Sequence, residues 1–363
     1  MAENSELNKI YWLWLCSIPG IGRKKTERLL KEYGTPENIC RQQRIDWFTE
    51  KEQACFSESK KLKWRAKYEA LKEAGISLVT CRDREYPRRL ECLYDKPYVL
   101  YVRGRLPQED IPSCGIVGAR DCTRYGAKLA EEIGRLLGEN NIQVISGMAR
   151  GIDGESQRGA IRAGGTSFGI MGNGVDICYP PENYDLYKAL MHNGGVISEF
   201  PPGTQARAGH FPMRNRIISA LSDKLVVIEA KEKSGSLITV DFALEQGKDI
   251  LGVPGRITDR LSAGVNNLIR LGAGVITKPE DILAEFGIEY TEKAAVYEKN
   301  KLSLAETENM LYSRLDLQPK NVQTIIEETG LGVSEVSEAL LELQMKGLIV
   351  ECTKNHYART KFS

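Results

Sequence analysis

Seven short apolar segments, separated by stretches long enough to form helices, most constrain how this chain can fold. They lie between residues 111 and 287 and read SCGIVGA, NIQVISG, TSFGIMG, GGVISEF, DKLVVIEA, KDILGVPG and AGVITKP. Segments this apolar, joined by helix-length connections, are typical of a mostly parallel sheet with helices on both faces. The region 111–287 is therefore predicted to be a Rossmann-like, doubly wound α/β domain.

Glycine-containing loops follow several of these predicted strands. They carry Gly118, Gly147, Gly172, Gly174 and Gly235. Ligands of doubly wound sheets bind beyond the carboxyl ends of the strands. We therefore expect these loops to converge on one binding crevice.

The first loop lies within GIVGARDCTRYGAKLAEEIGRLL, a stretch that predicts a strand, a turn and an amphipathic helix. Such a helix start directs free backbone N–H groups and the positive end of the helix dipole at one point, where an anion binds. The spacing matches neither the G-x-G-x-x-G of dinucleotide-binding folds nor the G-x-x-x-x-G-K-[ST] of P-loops. Gly118 and Gly126 instead flank a loop with Arg120, Thr123 and Arg124, which argues against the usual nucleotide ligands.

The stretch HFPMRNRII predicts a second helix start, and its side chains suit a nucleic-acid strand. Pro212 fits the first helical position, with Phe211 before it and Arg214, Asn215 and Arg216 in the first turn. Guanidinium groups bind phosphodiester oxygens, asparagine binds a phosphate or a base edge, and an aromatic ring stacks on an unpaired base. Neighbouring helical side chains differ by about 100° in direction. One arginine is therefore expected to be structural. For Phe211, the alternative to contact with DNA is burial in the apolar core.

A third predicted helix start, SGSLIT, follows the strand KLVVIEA. The amides and hydroxyls of Ser234, Gly235 and Ser236 are expected to face the same crevice. Plain helix capping uses the same geometry, and the sequence does not separate the two roles. Several helix starts along one sheet edge suit a phosphodiester backbone that runs past all of them better than they suit a single phosphate.

A helical domain is predicted before the central one, over residues 1–70. Its stretch YWLWLCSIPGIGRKKTERLLKEYG resembles a helix-hairpin-helix or SAM-like unit. In that motif a glycine turn followed by basic residues approaches a DNA phosphate. The alternative is a protein-interaction module built on the same hairpin. Residues 71–110 are expected to connect this domain to the core.

A polar stretch over residues 288–302 is predicted to be a linker to a third domain. Residues 303–363 show the order helix, turn, helix and short strands that is typical of a winged helix, with the second helix capped at Ser334. That helix carries Glu335, Glu338 and Glu342, and these carboxylates repel phosphate. A protein-contact or regulatory role is therefore favoured over DNA binding.

Composition narrows the function further. The formal net charge of the 363 residues is +1, so any basic surface has to be local. Nine cysteines without a C-x-x-C pair and three histidines suggest neither a zinc site nor a disulfide framework, and they fit reduced thiols in a cytosol. No apolar run approaches the roughly 20 residues that span a bilayer, and the first residues lack the apolar core of a signal peptide. The chain is expected to be soluble and cytoplasmic, without membrane contact.

Five stretches carry a resemblance to a known family. They read EYPRRLECLYDKPYVLYVRG, GIVGARDCTRYG, VISGMARGIDGESQRGAI, GIMGNGVDICYPPEN and, longest, ISEFPPGTQARAGHFPMRNRIISALSDKLVVIEAKEKSGSLITVDFALEQGKDILGVPG. In these the chain resembles the DprA/Smf family, the DNA-processing proteins of natural transformation. The resemblance implies a homodimer that binds single-stranded DNA, protects the incoming strand and helps to load a RecA-type recombinase. It implies no catalysis and no cofactor.

Two positions depart from the pattern of that family. Gln157 stands where the family often has a histidine, and Pro181 stands where it often has a basic residue, so a possible phosphate contact is lost. The predicted DNA path begins at Arg120 and continues through Arg207 to the turn at residues 214–216. The predicted nucleic-acid-binding residues are Gly118, Arg120, Thr123, Arg124, Ser146, Gly147, Arg207, Phe211, Arg214, Asn215, Arg216, Ser234, Gly235 and Ser236.

Two enzyme classes compete with this interpretation. A dinucleotide dehydrogenase needs an acidic residue after the second strand to bind the ribose, and NIQVISG ends in Ser-Gly instead. A nucleoside monophosphate phosphoribohydrolase of the cytokinin-activating type has a similar sheet and would use a carboxylate such as Glu199, Glu229 or Asp241. Its Pro-Gly-Gly-x-Gly-Thr signature is missing, and SGSLITVDFALEQG stands in its place.

Overall fold

The computed structural model describes residues 2–288, 305–316 and 318–359. The chain forms two compact units, residues 1–289 and 290–363. Apart from residue 288, the predicted linker 288–302 lies outside the described residues.

Helices alone form the N-terminal part of the first unit. They are α1 (Ala2–Cys16), α2 (Arg23–Tyr33), α3 (Pro36–Arg41), α4 (Glu50–Lys60) and α5 (Trp64–Glu73). The Pro-Gly-Ile-Gly turn joins α1 to α2, as the hairpin pattern predicts, and Ile18 and Ile21 beside it are buried. Trp14 is 1% exposed, and its Nε1 donates a hydrogen bond to Ser59 Oγ at 2.8 Å. The indole therefore ties α1 to α4 within the apolar core.

Two strands lie within the segment 71–110 that was expected to connect the domains. They are β1 (Ser77–Thr80) and β2 (Val99–Gly104), which pair antiparallel. Leu78, Val99 and Tyr101 of these strands pack in the same apolar core as the tryptophans of α1. The N-terminal helices therefore pack on the edge of the central sheet.

The central sheet confirms the predicted α/β architecture. After β2 the chain forms β3 (Ser113–Gly118), α6 (Arg124–Glu139), β4 (Gln143–Ser146), α7 (Ile152–Arg162), β5 (Ser167–Ile170), α8 (Tyr184–Asn193), β6 (Gly194–Ser198), α9 (His210–Ala220), β7 (Lys224–Ile228), α10 (Gly235–Glu245), β8 (Asp249–Gly252), α11 (Ala263–Arg270), β9 (Gly274–Val275) and α12 (Asp281–Glu285). The strand order is β1-β2-β6-β5-β4-β3-β7-β8-β9. The seven predicted strands run parallel to one another, and β2 joins them antiparallel at β6.

Side-chain alternation along the strands explains why helices cover both faces. Ile116 and Val226 pack in one apolar core with residues of α6, whereas Val117 and Val227 pack in another with residues of α9 and α10. Successive strand residues point to opposite faces. Strands that are apolar at every position therefore need a helical layer on each side.

Helices α6 and α7 approach each other so closely that their backbones touch. A Cβ on Gly134 would lie 2.0 Å from the carbonyl oxygen of Ser156, and a Cβ on Gly159 would lie 2.0 Å from that of Glu131. Helix α6 begins just after β3, and α7 begins just after β4. The contact therefore fixes the two loops that follow these strands relative to each other.

Gly159→Ala is expected to lower the free energy of unfolding by about 1–3 kcal/mol or more, because the added methyl group forces two backbones apart. Gly209→Ala is the matched control, since the space around its Cβ is open. Thermal and urea unfolding followed by circular dichroism measure both variants. Equal stability of Gly159→Ala and the parent would show that the helices separate without cost.

The second unit has winged-helix topology. It contains α13 (Glu306–Arg314), β10 (Lys320–Asn321), α14 (Val322–Thr329), α15 (Val333–Met345), β11 (Ile349–Thr353) and β12 (His356–Arg359), with strand order β10-β12-β11. Helix α15 begins one residue before the predicted cap Ser334, because Gly332 is the N-cap and its amide donates to the Glu335 carboxylate at 2.8 Å. The predicted second helix and its acidic first turn are otherwise present.

Candidate functional site

A cavity of about 580 Å³ opens at the carboxyl ends of β3 and β7. The chain builds the sheet outward from β3 through β4, β5 and β6, and then returns to the other side of β3 with β7. This reversal is the switch point at which doubly wound sheets bind ligands. Eight of the predicted residues line the cavity: Gly118, Arg120, Phe211, Arg214, Asn215, Ser234, Gly235 and Ser236.

Arg120 and Phe211 form the exposed part of this lining. The Arg120 side chain is exposed, and its guanidinium carbon lies 5.3 Å from the centre of the Phe211 ring. No carboxylate pairs with Arg120 among the residues that the structure describes. Phe211 is half-buried. A cation and an aromatic ring are therefore both accessible at the mouth of the cavity, a combination that suits a phosphate and an unpaired base.

Arg214 lies below them, almost completely buried at the ends of β4 and β5. Its Nη1 donates to the carbonyl oxygen of Gly147 at 2.8 Å and also to that of Ile170. Burial lowers the pKa of the guanidinium to about 10, and the nearby Asp153 carboxylate partly offsets this effect. Arg214 therefore remains charged at neutral pH. Its Nη2 hydrogens have no acceptor in the described part of the chain, so they are available to a ligand.

Asp153 and Gly147 hold this arginine in place. Burial raises the pKa of Asp153, whereas Arg214 and the Gly147 amide act in the opposite direction. The Gly147 amide donates to the Asp153 carboxylate at 3.1 Å. A Cβ on Gly147 would lie 2.4 Å from the Arg214 guanidinium. The glycine after β4 is thus required by the packing of Arg214, and Gly147, which was predicted as a ligand contact, also lines a smaller adjoining cavity.

The start of α10 forms the opposite wall. Ser234 is the N-cap, and its Oγ accepts from the Ser236 amide at 3.4 Å and lies 2.7 Å from the Ser236 hydroxyl. The space beside Gly235 is open, so a ligand can approach the backbone there. Asn215 faces this wall, with its Nδ2 donating to the Gly235 carbonyl at 3.4 Å.

The anion at the start of α6 is supplied by the chain itself. The Thr123 amide donates to the Glu229 carboxylate at 2.7 Å, and the Thr123 hydroxyl donates to the same carboxylate. Thr123 also caps the helix, because its Oγ1 accepts from the Gly126 amide at 3.0 Å. Glu229 has a φ of 52° at the end of β7, a backbone conformation that is uncommon outside glycine. The helix start that the sequence assigned to an external phosphate therefore already binds a carboxylate.

Arg216 points away from the cavity. Its guanidinium forms a two-fold hydrogen-bonded pair with Glu199 at 2.8 Å and a second ion pair with Asp95 at 2.8 Å. Burial acts to lower the pKa of Arg216, but the two carboxylates outweigh it and hold the pKa above the usual value. This is the structural arginine that the helix geometry led us to expect within the Arg-Asn-Arg stretch.

The start of α9 differs from the prediction. The helix begins at His210, so Pro212 is its third residue and Arg214 lies in the second turn. Proline is tolerated here because the first N–H groups of a helix have no intrahelical acceptor. The shift moves Arg214 inward and leaves Phe211 as the first-turn residue at the cavity.

The remaining predicted residues lie outside the cavity lining. Arg124 is exposed at the first position of α6, and Arg207 is exposed before α9. Ser146 is buried in β4, where its Oγ donates to the Ile116 carbonyl at 2.6 Å. The two arginines are placed to extend a path beyond the cavity, whereas Ser146 joins neighbouring strands.

Several lining residues were missed by the sequence reasoning, among them Lys231, Tyr179 and Arg150. Lys231 follows β7 and lines the main cavity, and Tyr179 follows β5 and contacts Phe211 at a ring distance of 5.6 Å. Arg150 follows β4 and lines a smaller adjoining cavity. Each of them follows a predicted strand, and this position is the sequence feature from which a role in the site could have been predicted.

Gln157 and Pro181, the two departures from the family pattern, lie in different surroundings. Gln157 is buried, where its Oε1 accepts from the Met148 amide at 3.1 Å and its Nε2 donates to the Phe168 carbonyl at 3.0 Å. It links α7 to the strand ends without reaching the cavity. Pro181 is exposed and lines the smaller cavity, where its ring offers no charge to a phosphate.

The carboxylates suggested for a phosphoribohydrolase have other surroundings. Glu199 pairs with Arg216, and Glu229 accepts hydrogen bonds from Thr123. Asp241 is exposed on α10 and is not part of the cavity lining. These three groups therefore do not converge on a substrate, and this alternative is not favoured.

No helix within residues 2–288, 305–316 and 318–359 is both long and apolar enough to cross a membrane.

Comparisons with known proteins find similar sequences over most of the chain. Residues 77–287 match the family model of DNA recombination-mediator protein A, and residues 297–353 match that of the DprA winged helix domain. The DNA processing protein DprA of Streptococcus pneumoniae is 41% identical over 55% of this chain and 71% of its own length. Protein Smf of Escherichia coli is 34% identical over 77% of this chain and 76% of its own length.

Two solved structures share the fold. The X-ray structure of DprA from Streptococcus pneumoniae aligns with a TM-score of 0.62 and 31% identity, covering 76% of this chain and 97% of that one. A structure of DNA processing protein A from Helicobacter pylori, described for its single-stranded DNA binding mode, aligns with a TM-score of 0.54 and 27% identity. It covers 58% of this chain and 95% of that one.

Proposed function

Because this chain belongs to the DprA/Smf family of DNA-processing proteins, we propose that it binds single-stranded DNA along the crevice at the carboxyl ends of β3 and β7. The observation that carries this proposal is the cavity lining itself. It combines the cations Arg120, Arg214 and Lys231 with the accessible ring of Phe211. Phosphodiester binding needs the cations, and base stacking needs the ring.

The shape of the site favours a single strand over a duplex. The Phe211 ring lies within a crevice, half-buried between Arg120 and Tyr179. An unpaired base reaches such a ring by rotating out of its strand, whereas bases in a duplex are stacked on their neighbours and must first be extruded. Stacking on an aromatic ring contributes roughly 1–3 kcal/mol per base, and a duplex forgoes this contribution.

Family membership supports a wider role. We propose that the protein protects incoming DNA during natural transformation, forms a homodimer and helps to load a RecA-type recombinase. We further propose that it acts without catalysis, because Glu199 and Glu229 are engaged in structural contacts and Asp241 lies outside the cavity lining. Incubation with nucleoside monophosphates is accordingly expected to release no ribose phosphate.

Titration by fluorescence anisotropy tests the DNA-binding proposal. Labelled single-stranded and duplex oligonucleotides of equal length are compared at several salt concentrations. Tighter binding of the single strand is expected, with an affinity that falls linearly on logarithmic axes as salt rises, because bound phosphates release counterions. Equal affinity for both forms, or none for either, contradicts the proposal.

A chain truncated after Gly287 is expected to remain folded, to dimerise and to retain most of its single-stranded DNA affinity. The reason is that residues 1–289 form a compact unit that contains the whole cavity, and that α15 carries carboxylates which repel phosphate. Size-exclusion chromatography with light scattering and the same anisotropy titration measure these properties. A folded truncated chain that has lost binding would assign the DNA site to the winged-helix unit.

A further inference from the structure

We propose that the crevice binds two successive nucleotides in two compartments, and that Tyr179 is the stacking platform of the second. This inference rests on the proposed binding of single-stranded DNA. The second compartment is a cavity of about 250 Å³ beside the main one. The two cavities share Arg120, Ala149, Tyr179, Phe211 and Arg214 in their linings.

The shared side chains form a wall between the compartments. The Arg120 guanidinium lies over the Phe211 ring at 5.3 Å. The Tyr179 ring also lies against Phe211, with the ring centres 5.6 Å apart and the planes inclined by 32°. This spacing leaves no room for a base between the two rings. Because no base fits between the rings, the base that follows one held in the main cavity stacks on the exposed part of Tyr179.

Tyr179 has the exposure that a stacking platform needs. It is 39% exposed, and its hydroxyl has no hydrogen-bond partner within the described ranges. Exposure alone does not single it out, because Tyr94 is 84% exposed. Tyr94, however, lines neither cavity. The position of Tyr179 between two cavities, in contact with Phe211, is what assigns it this role.

The cations are placed to meet the phosphates of such a dinucleotide step. Arg120 lies at the boundary between the two cavities, next to the phosphate that joins the two nucleotides. Arg150 lines the second cavity and is half-exposed, with Asp121 as a distant partner at 4.0 Å. A long contact between exposed charges contributes little. Arg150 is therefore available to the next phosphate along the strand.

Glu182 gives the second compartment a base preference. Its carboxylate lies at the rim, exposed and without an ion-pair or hydrogen-bond partner in the described part of the chain. A carboxylate accepts hydrogen bonds from the exocyclic amino group of cytosine, whereas thymine presents the acceptor O4 at the same position. The second compartment is therefore expected to prefer cytosine over thymine.

Tyr179→Ala in the full chain tests the platform. Its affinity for single-stranded oligonucleotides is expected to fall about tenfold, a change that corresponds to about 1.4 kcal/mol. Tyr179→Phe retains the ring and is expected to stay within about twofold of the parent. Tyr94→Ala is the matched control and is expected to bind like the parent. The salt slope of Tyr179→Ala is expected to be unchanged, because a stacking contact releases no counterion.

Glu182→Gln tests the base preference by titration with oligo(dC) and oligo(dT) of equal length. The parent is expected to prefer oligo(dC) by about fivefold, and Glu182→Gln to narrow this ratio, since an amide both donates and accepts. The second compartment is overturned if Tyr179→Ala binds as tightly as the parent, or if Glu182→Gln leaves the ratio of the oligo(dC) and oligo(dT) affinities unchanged. Neither result affects the proposal that the protein binds single-stranded DNA. Absence of binding by the parent itself overturns the proposed function and this inference together.

Discussion

Arg216→Ala is expected to lower the free energy of unfolding by about 3–5 kcal/mol. The side chain is 4% exposed and pairs with Glu199, which is 15% exposed, and with Asp95. Removal of one partner from a buried ion pair leaves the other charge without compensation, and this is strongly destabilising. Urea unfolding of purified variants, followed by circular dichroism, measures the loss.

Two further variants separate this effect from a general loss of charge. Arg135→Ala is the matched control, because Arg135 forms ion pairs with Glu132 and Glu139 at the surface, and such pairs contribute at most about 1 kcal/mol. The double variant Arg216→Met with Glu199→Leu removes both buried charges and is expected to recover much of the stability. A loss below about 1 kcal/mol for Arg216→Ala would show that Glu199 is solvated when it is left alone.

Arg120→Ala is expected to weaken single-stranded DNA binding by about 1.5–3 kcal/mol, the contribution of a hydrogen bond to a charged group. This corresponds to a loss of roughly 10- to 150-fold in affinity. The logarithmic salt slope is expected to flatten by about 0.7, because one phosphate is no longer neutralised. Anisotropy titrations at several salt concentrations measure both quantities.

The variant must unfold like the parent for this test to apply, and the exposed position of Arg120 makes this the expected result. Arg41→Ala serves as the control, since Arg41 is a surface residue that pairs with Glu37 at 2.6 Å. Arg120→Lys retains the charge and is expected to keep the slope while losing part of the affinity, because an ammonium lacks the planar fork of a guanidinium. If Arg120→Ala keeps the affinity and the salt slope of the parent, Arg120 has a packing role and is not part of the DNA path.

Local sequence was sufficient for the seven parallel strands but not for β1 and β2 or for the partners of charged residues. The seven apolar segments predicted the parallel strands because a strand buried on both faces leaves its own pattern. Strand β1 has four residues, SLVT, and its place in the sheet depends on antiparallel pairing with β2 rather than on a pattern of its own. The partner of Arg216 at Asp95 is separated from it by 121 residues. Sequence spacing carries no information about such a contact.

In the candidate site too, local sequence predicted the positions of residues but not their contact partners. The positions of Arg120, Phe211 and Ser234 followed from strand ends and helix starts, which are local features. Whether a helix start receives an external or an internal anion depends on Glu229, which lies 106 residues beyond Thr123. Helix α9 begins two residues before the predicted start, and the burial of Arg214 in its second turn was not predicted.

The Glu229 carboxylate at the start of α6 affects how the protein binds small phosphate compounds. A helix start that accepts one free phosphate group makes ATP, nucleoside monophosphates and inorganic phosphate competitors for the same site. Glu229 occupies that position, so no single phosphate gains the full benefit of the α6 dipole. Affinity then has to accumulate over several weaker contacts along a polymer, as in multivalent binding. If the protein binds single-stranded DNA as proposed, we therefore expect longer strands to bind more tightly than single nucleotides or inorganic phosphate.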